Sequence, residues 1–228
     1  MKNKNLLITG AATRIGKAIA LRFAERGWNI AIHYFKSADK AKKLKKIIEN
    51  KKIKIILIKA DLKNMKQVEK IIPSLKKKLG TINCLINNAA LFENDDILNF
   101  TNKSWSDHLN INLLAPAILI KQFARQIYKK NKYDIINIID QRVFKLTPMF
   151  MSYTLSKSAL YTLTKTMAMR LGPKIKVNGI APGPTIKSKR QSTKHFNKQA
   201  KSTLLKKSVD PEDICDTVEF LINNNSIT

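Results

Sequence analysis

The sequence predicts an α/β protein with one mostly parallel sheet and helices on both faces of that sheet. Short apolar runs rich in β-branched residues alternate with longer segments of helical periodicity, which is the pattern of consecutive β-α-β units. The 228 residues suffice for one substantial core, and no linker or internal repeat divides them. We therefore expect a single domain over residues 1–228.

The elements follow in order from the amino end. The expected strands are Asn5–Thr9, Trp28–Tyr34, Ile53–Lys59, Asn83–Asn87, Tyr133–Ile139 and Lys174–Ile180. The expected helices are Arg14–Arg26, Ala38–Asn50, Met65–Leu79, Ser104–Lys129 (which Pro116 is able to interrupt), Met151–Arg170 and Glu212–Leu221. Doubly wound sheets commonly continue beyond such a last helix, so we expect the last edge strand to be missing.

Residues 185–207 are polar, basic and weakly periodic. Such a composition is typical of a loop with short helices over an active site, and it fits a plain surface loop equally well. We treat this segment as a candidate substrate loop.

Composition limits the function classes. The net charge is +27, but the lysines are spread over all the predicted helices except the last, which favours a solvated basic surface over a specific nucleic-acid site. No apolar run reaches the ~18 residues of a membrane span, and none at the amino end resembles a signal peptide. Cys84 and Cys215 lie far apart, as reduced thiols do. We expect a cytoplasmic protein without a metal site, a membrane or a specific nucleic-acid partner.

The first strand-to-helix turn is built from small residues. Residues 10–16 place free backbone N–H groups at a helix start, where a diphosphate binds. Tight packing alone would also favour small residues. The turn is a candidate dinucleotide loop, with Gly10, Arg14 and Ile15 as candidate contacts.

The second strand ends without the acid that NAD-binding proteins usually present to the ribose 2′-hydroxyl. Its end carries His33, Tyr34, Lys36 and Ser37, and Arg14 lies nearby in the first turn. Cationic and hydroxyl donors suit a 2′-phosphate, so the pattern favours NADP(H) over NAD(H) as cofactor. The alternative is that Lys36 is one more surface lysine.

Two further turns follow strands at the same sheet edge. Asp61 and Leu62 come after the third strand, and Asn88 and Ala89 come after the fourth. Ligands collect at the carboxyl ends of parallel strands, so these residues are candidate cofactor contacts, although either pair could form only a turn.

Tyr153 and Lys157 are four residues apart in a predicted helix and share one face of it. An ammonium beside a phenol favours the phenolate, so we expect Lys157 to lower the pKa of Tyr153 and make it a usable proton donor. Asp140 lies 13 residues before Tyr153, directly after a strand. A lone Y-x-x-x-K pair is common by chance.

The set as a whole resembles the short-chain dehydrogenase/reductase family, whose pattern is TGxxxGxG, NNAG, Asn, Ser, YxxxK and PG. The later matches here are Asn112 and Pro182-Gly183, and the resemblance runs from Lys4 to about Ile222. It implies a Rossmann-type sheet, an NADP(H)-dependent oxidoreductase and a homo-oligomer, dimer or tetramer, if the carboxyl end permits.

The same resemblance implies roles for individual residues. Hydride would pass from the nicotinamide to the carbon of a C=O or C=N bond of a small-molecule substrate. Tyr153 would supply the proton, Lys157 would hold the nicotinamide ribose, and Asn112 would support a water-linked proton relay. Pro182 and Gly183 would contact the cofactor.

Three departures resemble the pteridine reductase branch of that family. Arg14 replaces a loop glycine, Asp140 replaces the serine, and NNAA is followed by Leu91-Phe92, while His33–Ala41 matches an HYxxSxxxA element. A carboxylate suits the N–H donors of a pterin edge, and Phe92 would stack on the pterin ring. The branch also implies Arg14 as a substrate contact. Alternatively, Phe92 fills a local core and Asp140 caps a helix or turn.

The best hypothesis is therefore an NADPH-dependent reductase of a dihydropteridine or dihydrofolate-like substrate. A generic ketone or 3-ketoacyl reductase is the alternative within the family. A non-catalytic NADP(H) sensor and a nucleic-acid binder are the alternatives outside it.

Overall fold

Six parallel strands form one sheet in the order β3-β2-β1-β4-β5-β6 in the computed structural model, which describes residues 4–127, 133–188 and 191–228. The strands are β1 (Asn5–Ile8), β2 (Asn29–Tyr34), β3 (Ile55–Lys59), β4 (Cys84–Asn87), β5 (Asp134–Ile138) and β6 (Lys176–Ile180). This order is that of the Rossmann fold, so the predicted fold class is confirmed.

Helices cover both faces of the sheet. In the described ranges they are α1 (Arg14–Glu25), α2 (Ala38–Ile48), α3 (Met65–Leu79), α4 (Asn102–Leu109), α5 (Ala115–Arg125), α6 (Met151–Leu171), α7 (Thr193–Lys201) and α8 (Pro211–Asn223). Helices α1, α2 and α8 pack on one face, and α3, α5 and α6 pack on the other. Each predicted strand and helix before α7 has a counterpart within a few residues, except where noted below.

The central strands show why the sheet is buried. All four residues of β1 are buried; Leu6 and Ile8 point into the core under α1, whereas Leu7 points into the core under α3 and α5. A strand covered on both faces needs apolar residues at every position, which is why these strands are continuous apolar runs.

The predicted helix Ser104–Lys129 is interrupted. A π-helical turn at Asn110–Leu114 separates α4 from α5, and the predicted end at Lys129 lies outside the described residues. Pro116, which has no N–H to donate, is at the second position of α5, directly after this turn. The π turn carries Asn112, and such turns are frequent at functional sites.

Strand β6 forms one edge of the described sheet. The Val177 N–H donates to Thr228 Oγ1 at 2.9 Å, and Asn178 Nδ2 donates to the Ile227 carbonyl at 3.2 Å. Helix α8 is fixed to α1 through Arg22, which pairs with three carboxylates of α8. None of the described helices combines the length and the hydropathy that crossing a bilayer requires.

Candidate active site

A cavity of about 650 Å³ opens at the carboxyl ends of β1, β4 and β5. It is lined by the turn after β1, the loop after β4, the segment after β5, the first turns of α6, residues 182–188 and α7. The predicted site residues that line it are Gly10, Arg14, Ile15, Asn88, Ala89, Phe92, Asp140, Tyr153, Lys157, Pro182 and Gly183.

The turn after β1 has the shape of a phosphate cradle. Gly10 has a φ of +64°, which favours glycine, and a Cβ on Gly16 would lie 2.6 Å from Asn88 Nδ2 and 2.7 Å from the Gly10 carbonyl oxygen. Thr13 precedes α1 without a side-chain hydrogen bond to the helix. The first N–H groups of α1 thus remain available to an anion, and the geometry fits a dinucleotide diphosphate.

Arg14 connects this turn to the candidate substrate loop. Its backbone is left-handed, with φ of 57°, and its guanidinium donates to the Ile186 carbonyl at 2.6 Å and to the Lys187 carbonyl at 2.9 Å. Partial burial lowers its pKa below the ordinary value, and an arginine remains a cation after such a shift. Arg14 therefore lies at the junction of the predicted cofactor and substrate regions.

The prediction that His33 is a cationic donor was wrong. Its imidazole is 2% exposed, Nδ1 accepts from the Gly10 N–H at 3.2 Å, and Nε2 faces the Ala60 carbonyl at 3.1 Å. Burial lowers the pKa of His33 to about 4, so the ring is neutral at physiological pH. It holds the Gly10 turn in place.

The other residues predicted around the adenosine half lie beside the cavity and do not line it. Lys36 is exposed and Ser37 half-buried just after β2, while Tyr34 packs on the core beneath α1 and α2. Asp61 Oδ1 accepts from the Lys63 N–H at 3.0 Å in a turn, and Leu62 is buried.

Asn88 and Ala89 join the two central strand ends. Both of their N–H groups donate to Thr9 Oγ1, at 2.9 and 3.0 Å, and Asn88 Nδ2 donates to the Thr9 carbonyl at 2.8 Å. These bonds fix the floor of the cavity between β1 and β4.

Tyr153 and Asp140 meet at the inner end of the cavity. The phenol O–H donates to Asp140 Oδ2 at 2.7 Å, and Asp140 Oδ1 accepts from the Arg142 N–H at 2.8 Å. Burial, followed by the Asp140 charge, raises the pKa of Tyr153 well above its ordinary value. The predicted lowering of that pKa was wrong for the protein without ligand.

Lys157 lies one turn from Tyr153, but its ammonium does not reach the phenol as predicted. Its Nζ donates to the Ile138 carbonyl at 2.7 Å, and the side chain is 2% exposed. Burial lowers the pKa of Lys157 to about 8. The two residues share a helix face, as expected, and each is held by its own acceptor.

Asn112 fixes the loop after β4 to helix α6. Its Oδ1 accepts from the Leu91 N–H at 2.8 Å, and its Nδ2 donates to the Leu91 carbonyl at 3.0 Å and to Ser156 Oγ at 2.9 Å. The amide is thus engaged within the protein. Its part in a proton relay stays a prediction.

Phe92 forms an aromatic wall with a residue that the sequence did not reveal. The rings of Phe92 and Phe150 stack with centroids 4.6 Å apart, and Phe92 meets Tyr153 edge-on at 4.7 Å. The Arg142 guanidinium lies 4.4 Å from the centroid of Phe150. Phe92 is 40% exposed, so it lines the cavity instead of filling a core of its own.

Comparison with known proteins decides the family. A sequence model for the family described as short chain dehydrogenase matches residues 4–198. The chain belongs to the short-chain dehydrogenase family. The prediction of an oxidoreductase of this family is thereby confirmed.

Three proteins illustrate what this short-chain dehydrogenase is similar to. It is 36% identical to FolM alternative dihydrofolate reductase 1 from Brucella canis, solved with NADP, with a TM-score of 0.95 over 100% of this chain and 90% of the other. A blue fluorescent protein from a metagenomic library, solved with NADPH, is 27% identical, with a TM-score of 0.90 over 97% and 91%. The 3-oxoacyl-[acyl-carrier-protein] reductase FabG of Staphylococcus epidermidis is 29% identical over 98% of this chain and 93% of that protein. The bound NADP and NADPH of the solved relatives agree with the predicted cofactor.

The sequence did not single out several lining residues of this short-chain dehydrogenase. Phe150 precedes the Tyr153 helix with φ of 61°, and Gln191, His195 and Gln199 reach the cavity from the segment around α7. A buried polar cluster of Asp95, His108 and Ser152 also lies behind Tyr153. Within the described residues no group of three His, Cys, Asp or Glu side chains is arranged to hold a metal ion.

Proposed function

We propose that this short-chain dehydrogenase uses NADPH to reduce a C=N or C=O bond of a pterin, a dihydropteridine or dihydrofolate-like molecule. The observation that carries the proposal is the hydrogen-bonded Tyr153 and Asp140 pair beside the exposed aromatic wall of Phe92 and Phe150. A flat heterocycle with N–H donors on one edge complements a ring face and a carboxylate. The 36% identity to the Brucella FolM protein supports it.

Residues of the turn after β1, the segment after β2, helix α6 and the segment after β6 would hold NADPH. The Gly10 turn and the start of α1 would bind the diphosphate, and Lys36 and Ser37 would meet the 2′-phosphate. Lys157 would bind the nicotinamide ribose, with Pro182-Gly183 beside it. NADPH supplies the hydride when bound.

The protein's own residues would orient the substrate and move the proton. The pterin ring would lie on Phe92. Its amino-pyrimidinone edge would face Asp140, whose carboxylate would accept hydrogen bonds from the N–H groups of that edge. Tyr153 would then turn its O–H from Asp140 to the substrate atom that needs a proton. The candidate substrate loop, in which the Ile186 and Lys187 carbonyls accept from Arg14, would cover the site. We propose that residues 1–228 form one domain.

The test is an NADPH oxidation assay with dihydrobiopterin, dihydrofolate and an acetoacetyl thioester as substrates. Turnover of the two pterins is expected, and Tyr153→Phe should reduce kcat by roughly 10²- to 10⁴-fold while NADPH still binds. Unchanged turnover in Tyr153→Phe would rule out the proposed proton donor. A wild-type protein that binds NADPH and reduces nothing would fit a sensor.

Reduction of 3-oxoacyl thioesters is the second candidate. It is favoured by the FabG relative, which aligns with 98% of this chain. Turnover of the acetoacetyl thioester without turnover of either pterin would decide for it. Asp140, where the family pattern has serine, argues against it, because a carboxylate repels a ketone oxygen that gains negative charge.

We also propose a cytoplasmic location and a homo-oligomer, either a dimer or a tetramer. Cys84 and Cys215 are both buried free thiols, and burial raises the pKa of Cys215 to about 12, as suits a protein kept reduced. Exposed apolar side chains on α6, Leu155 and Met169, are candidate subunit contacts. Light scattering of the purified protein measures the oligomeric state.

A further inference from the structure

Three buried polar side chains from three different elements meet behind the Tyr153 ring. Asp95 lies in the loop after β4, His108 in α4 and Ser152 in the first turn of α6, with exposed fractions of 3%, 0% and 1%. Ser152 Oγ donates to Asp95 Oδ2 and lies 2.7 Å from His108 Nδ1. We call these three residues the Asp95 cluster.

The direction of the hydrogen bonds in the cluster follows from its two ends. The Glu93 N–H, which can only donate, faces His108 Nε2 at 3.2 Å, so that nitrogen accepts. His108 Nδ1 then carries the hydrogen, and it also lies 2.9 Å from the Ser104 carbonyl, which can only accept. Ser152 receives from His108 and donates to the carboxylate of Asp95. Burial lowers the pKa of His108, in keeping with this neutral ring.

Asp95 also caps the amino end of helix α6, which carries Tyr153. Phe150 precedes α6 in a left-handed conformation and provides no side-chain cap. The Met151 N–H donates to the Asp95 carbonyl at 3.1 Å, and the Ser152 N–H donates to Asp95 Oδ1 at 3.0 Å. A carboxylate at this end also interacts favourably with the helix dipole. Asp95 therefore fixes where α6 begins.

The hydrogen bonds of the cluster reach residues that are next in sequence to two aromatic residues of the cavity. Glu93 follows Phe92, and Ser152 precedes Tyr153, whose ring lies 4.7 Å from that of Phe92. The loop after β4 is held by His108 at position 93 and by α6 at position 95. The separation between the Phe92 ring and the phenol is thus fixed through buried hydrogen bonds.

We propose that the Asp95 cluster consists of positioning residues that hold the Phe92 ring in edge contact with the Tyr153 ring and so fix the Tyr153 hydroxyl relative to the ring on which a flat substrate would lie. The inference rests on the proposed function, because the position of the hydroxyl relative to Phe92 matters when a planar substrate lies on that ring. The cluster contacts neither cofactor nor substrate in this arrangement. It acts through the two rings.

Ser152→Ala is the direct test, since it removes the central hydroxyl and leaves no cavity larger than one oxygen atom. Kinetics with NADPH and dihydrobiopterin should show kcat/KM for the pterin falling about 10-fold, equivalent to roughly 1.4 kcal/mol, with KM for NADPH unchanged. Ser158→Ala, on the same helix and outside the cluster, is the matched control and should behave as wild type. Asp95→Asn, which places an amide N–H₂ against the Ser152 hydroxyl, should repeat the loss.

A double-mutant cycle separates positioning from general destabilisation. With Phe92→Leu already present, Ser152→Ala should cost much less in kcat/KM than it does alone, because the ring that the cluster positions is gone. Independent, additive losses would overturn the inference. So would a Ser152→Ala protein with a lowered Tm and wild-type kcat and KM.

A wild-type protein that does not reduce dihydrobiopterin would refute the proposed function alone. Hydrogen exchange then tests the role of the Asp95 cluster without an activity assay. Exchange at the Glu93 and Met151 N–H groups should then be at least about 10-fold faster in Ser152→Ala than in Ser158→Ala. Equal exchange in the two variants would show that the cluster does not hold the loop against α6.

Discussion

Replacing Lys157 by methionine should stabilise the protein without ligand while abolishing most of its activity. The side chain is 2% exposed, and its one hydrogen bond runs to the Ile138 carbonyl at 2.7 Å. Burial lowers its pKa from 10.5 to about 8. The folded protein therefore holds this ammonium less favourably than the unfolded chain does. Methionine has a similar length and no charge to desolvate.

The size of the effect follows from the pKa difference. The drop from 10.5 to about 8 is about 2.5 units, which at about 1.4 kcal/mol per unit corresponds to about 3 kcal/mol of destabilisation at neutral pH. Losing the bond to the buried Ile138 carbonyl costs about 1–2 kcal/mol. The net gain of Lys157→Met is about 1–2 kcal/mol, or a rise in Tm of roughly 3–6 °C for a chain of this size.

The gain should depend on pH. In the unfolded chain Lys157 keeps its proton up to about pH 10.5, whereas in the folded protein it loses it near pH 8. Between these values the unfolded state binds more protons, so the stability of wild type rises with pH. The advantage of Lys157→Met is therefore complete below about pH 8, shrinks above it, and gives way near pH 10.5 to a deficit of about 1–2 kcal/mol from the lost hydrogen bond.

Urea denaturation of the apo proteins at several pH values measures both effects. Lys165→Met, at an exposed position of the same helix, is the control and should show no such pH dependence. A Lys157→Met protein that is less stable than wild type at neutral pH, by an amount independent of pH, would refute the reasoning. It would mean that the ammonium is well solvated or paired in the folded state.

Three further predictions concern other groups of the site. His33→Asn should reduce the loss of stability between pH 6.5 and about 4, because in that range the His33 imidazole binds a proton in the unfolded chain and stays neutral in the folded protein. Urea titrations with wild type as reference measure this. Lys36→Asp should lower the ratio of kcat/KM with NADPH to kcat/KM with NADH at least about 10-fold. Lys43→Asp in α2 is the control and should leave this ratio unchanged. An unchanged ratio in Lys36→Asp would exclude a 2′-phosphate contact. Asp140→Asn should lower the pKa of Tyr153, seen by ultraviolet titration as phenolate appearing at a lower pH than in wild type, and an identical titration curve would contradict the assigned cause.

The fold was predictable because each strand carries its own signal. Strands buried on both faces read as uninterrupted apolar runs, so β1 and β4 could be placed without knowledge of their neighbours. The turn at Gly10 and the shared helix face of Tyr153 and Lys157 could likewise be predicted from a few neighbouring residues. Spacing along one helix determines that two side chains share a face. It does not determine which acceptor each side chain reaches.

The wrong predictions have that cause. Lys157 was expected at the phenol, but the Ile138 carbonyl at the end of β5 accepts its hydrogen bond instead. His33 looked like a surface cation, yet its position in the central part of the sheet buries it against the Gly10 turn. Both outcomes depend on contacts between distant segments. The Asp95 cluster was missed for the same reason, since its members come from three elements.

Under the proposed function, the hydrogen bond from Tyr153 to Asp140 holds the phenol proton until a pterin binds. The pKa of Tyr153 is raised and that of Lys157 is lowered, so the lysine loses its proton before the phenol does. One cause of the raised phenol pKa is the charge of Asp140, which accepts the phenol O–H. A substrate that donates N–H groups to Asp140 would occupy that carboxylate, free the phenol and lower its pKa beside the bond to be reduced. A simple ketone has no such donors and would leave the phenol tied to Asp140. The Tyr153 and Asp140 pair would therefore select pterins by controlling when the proton is available, as well as by shape.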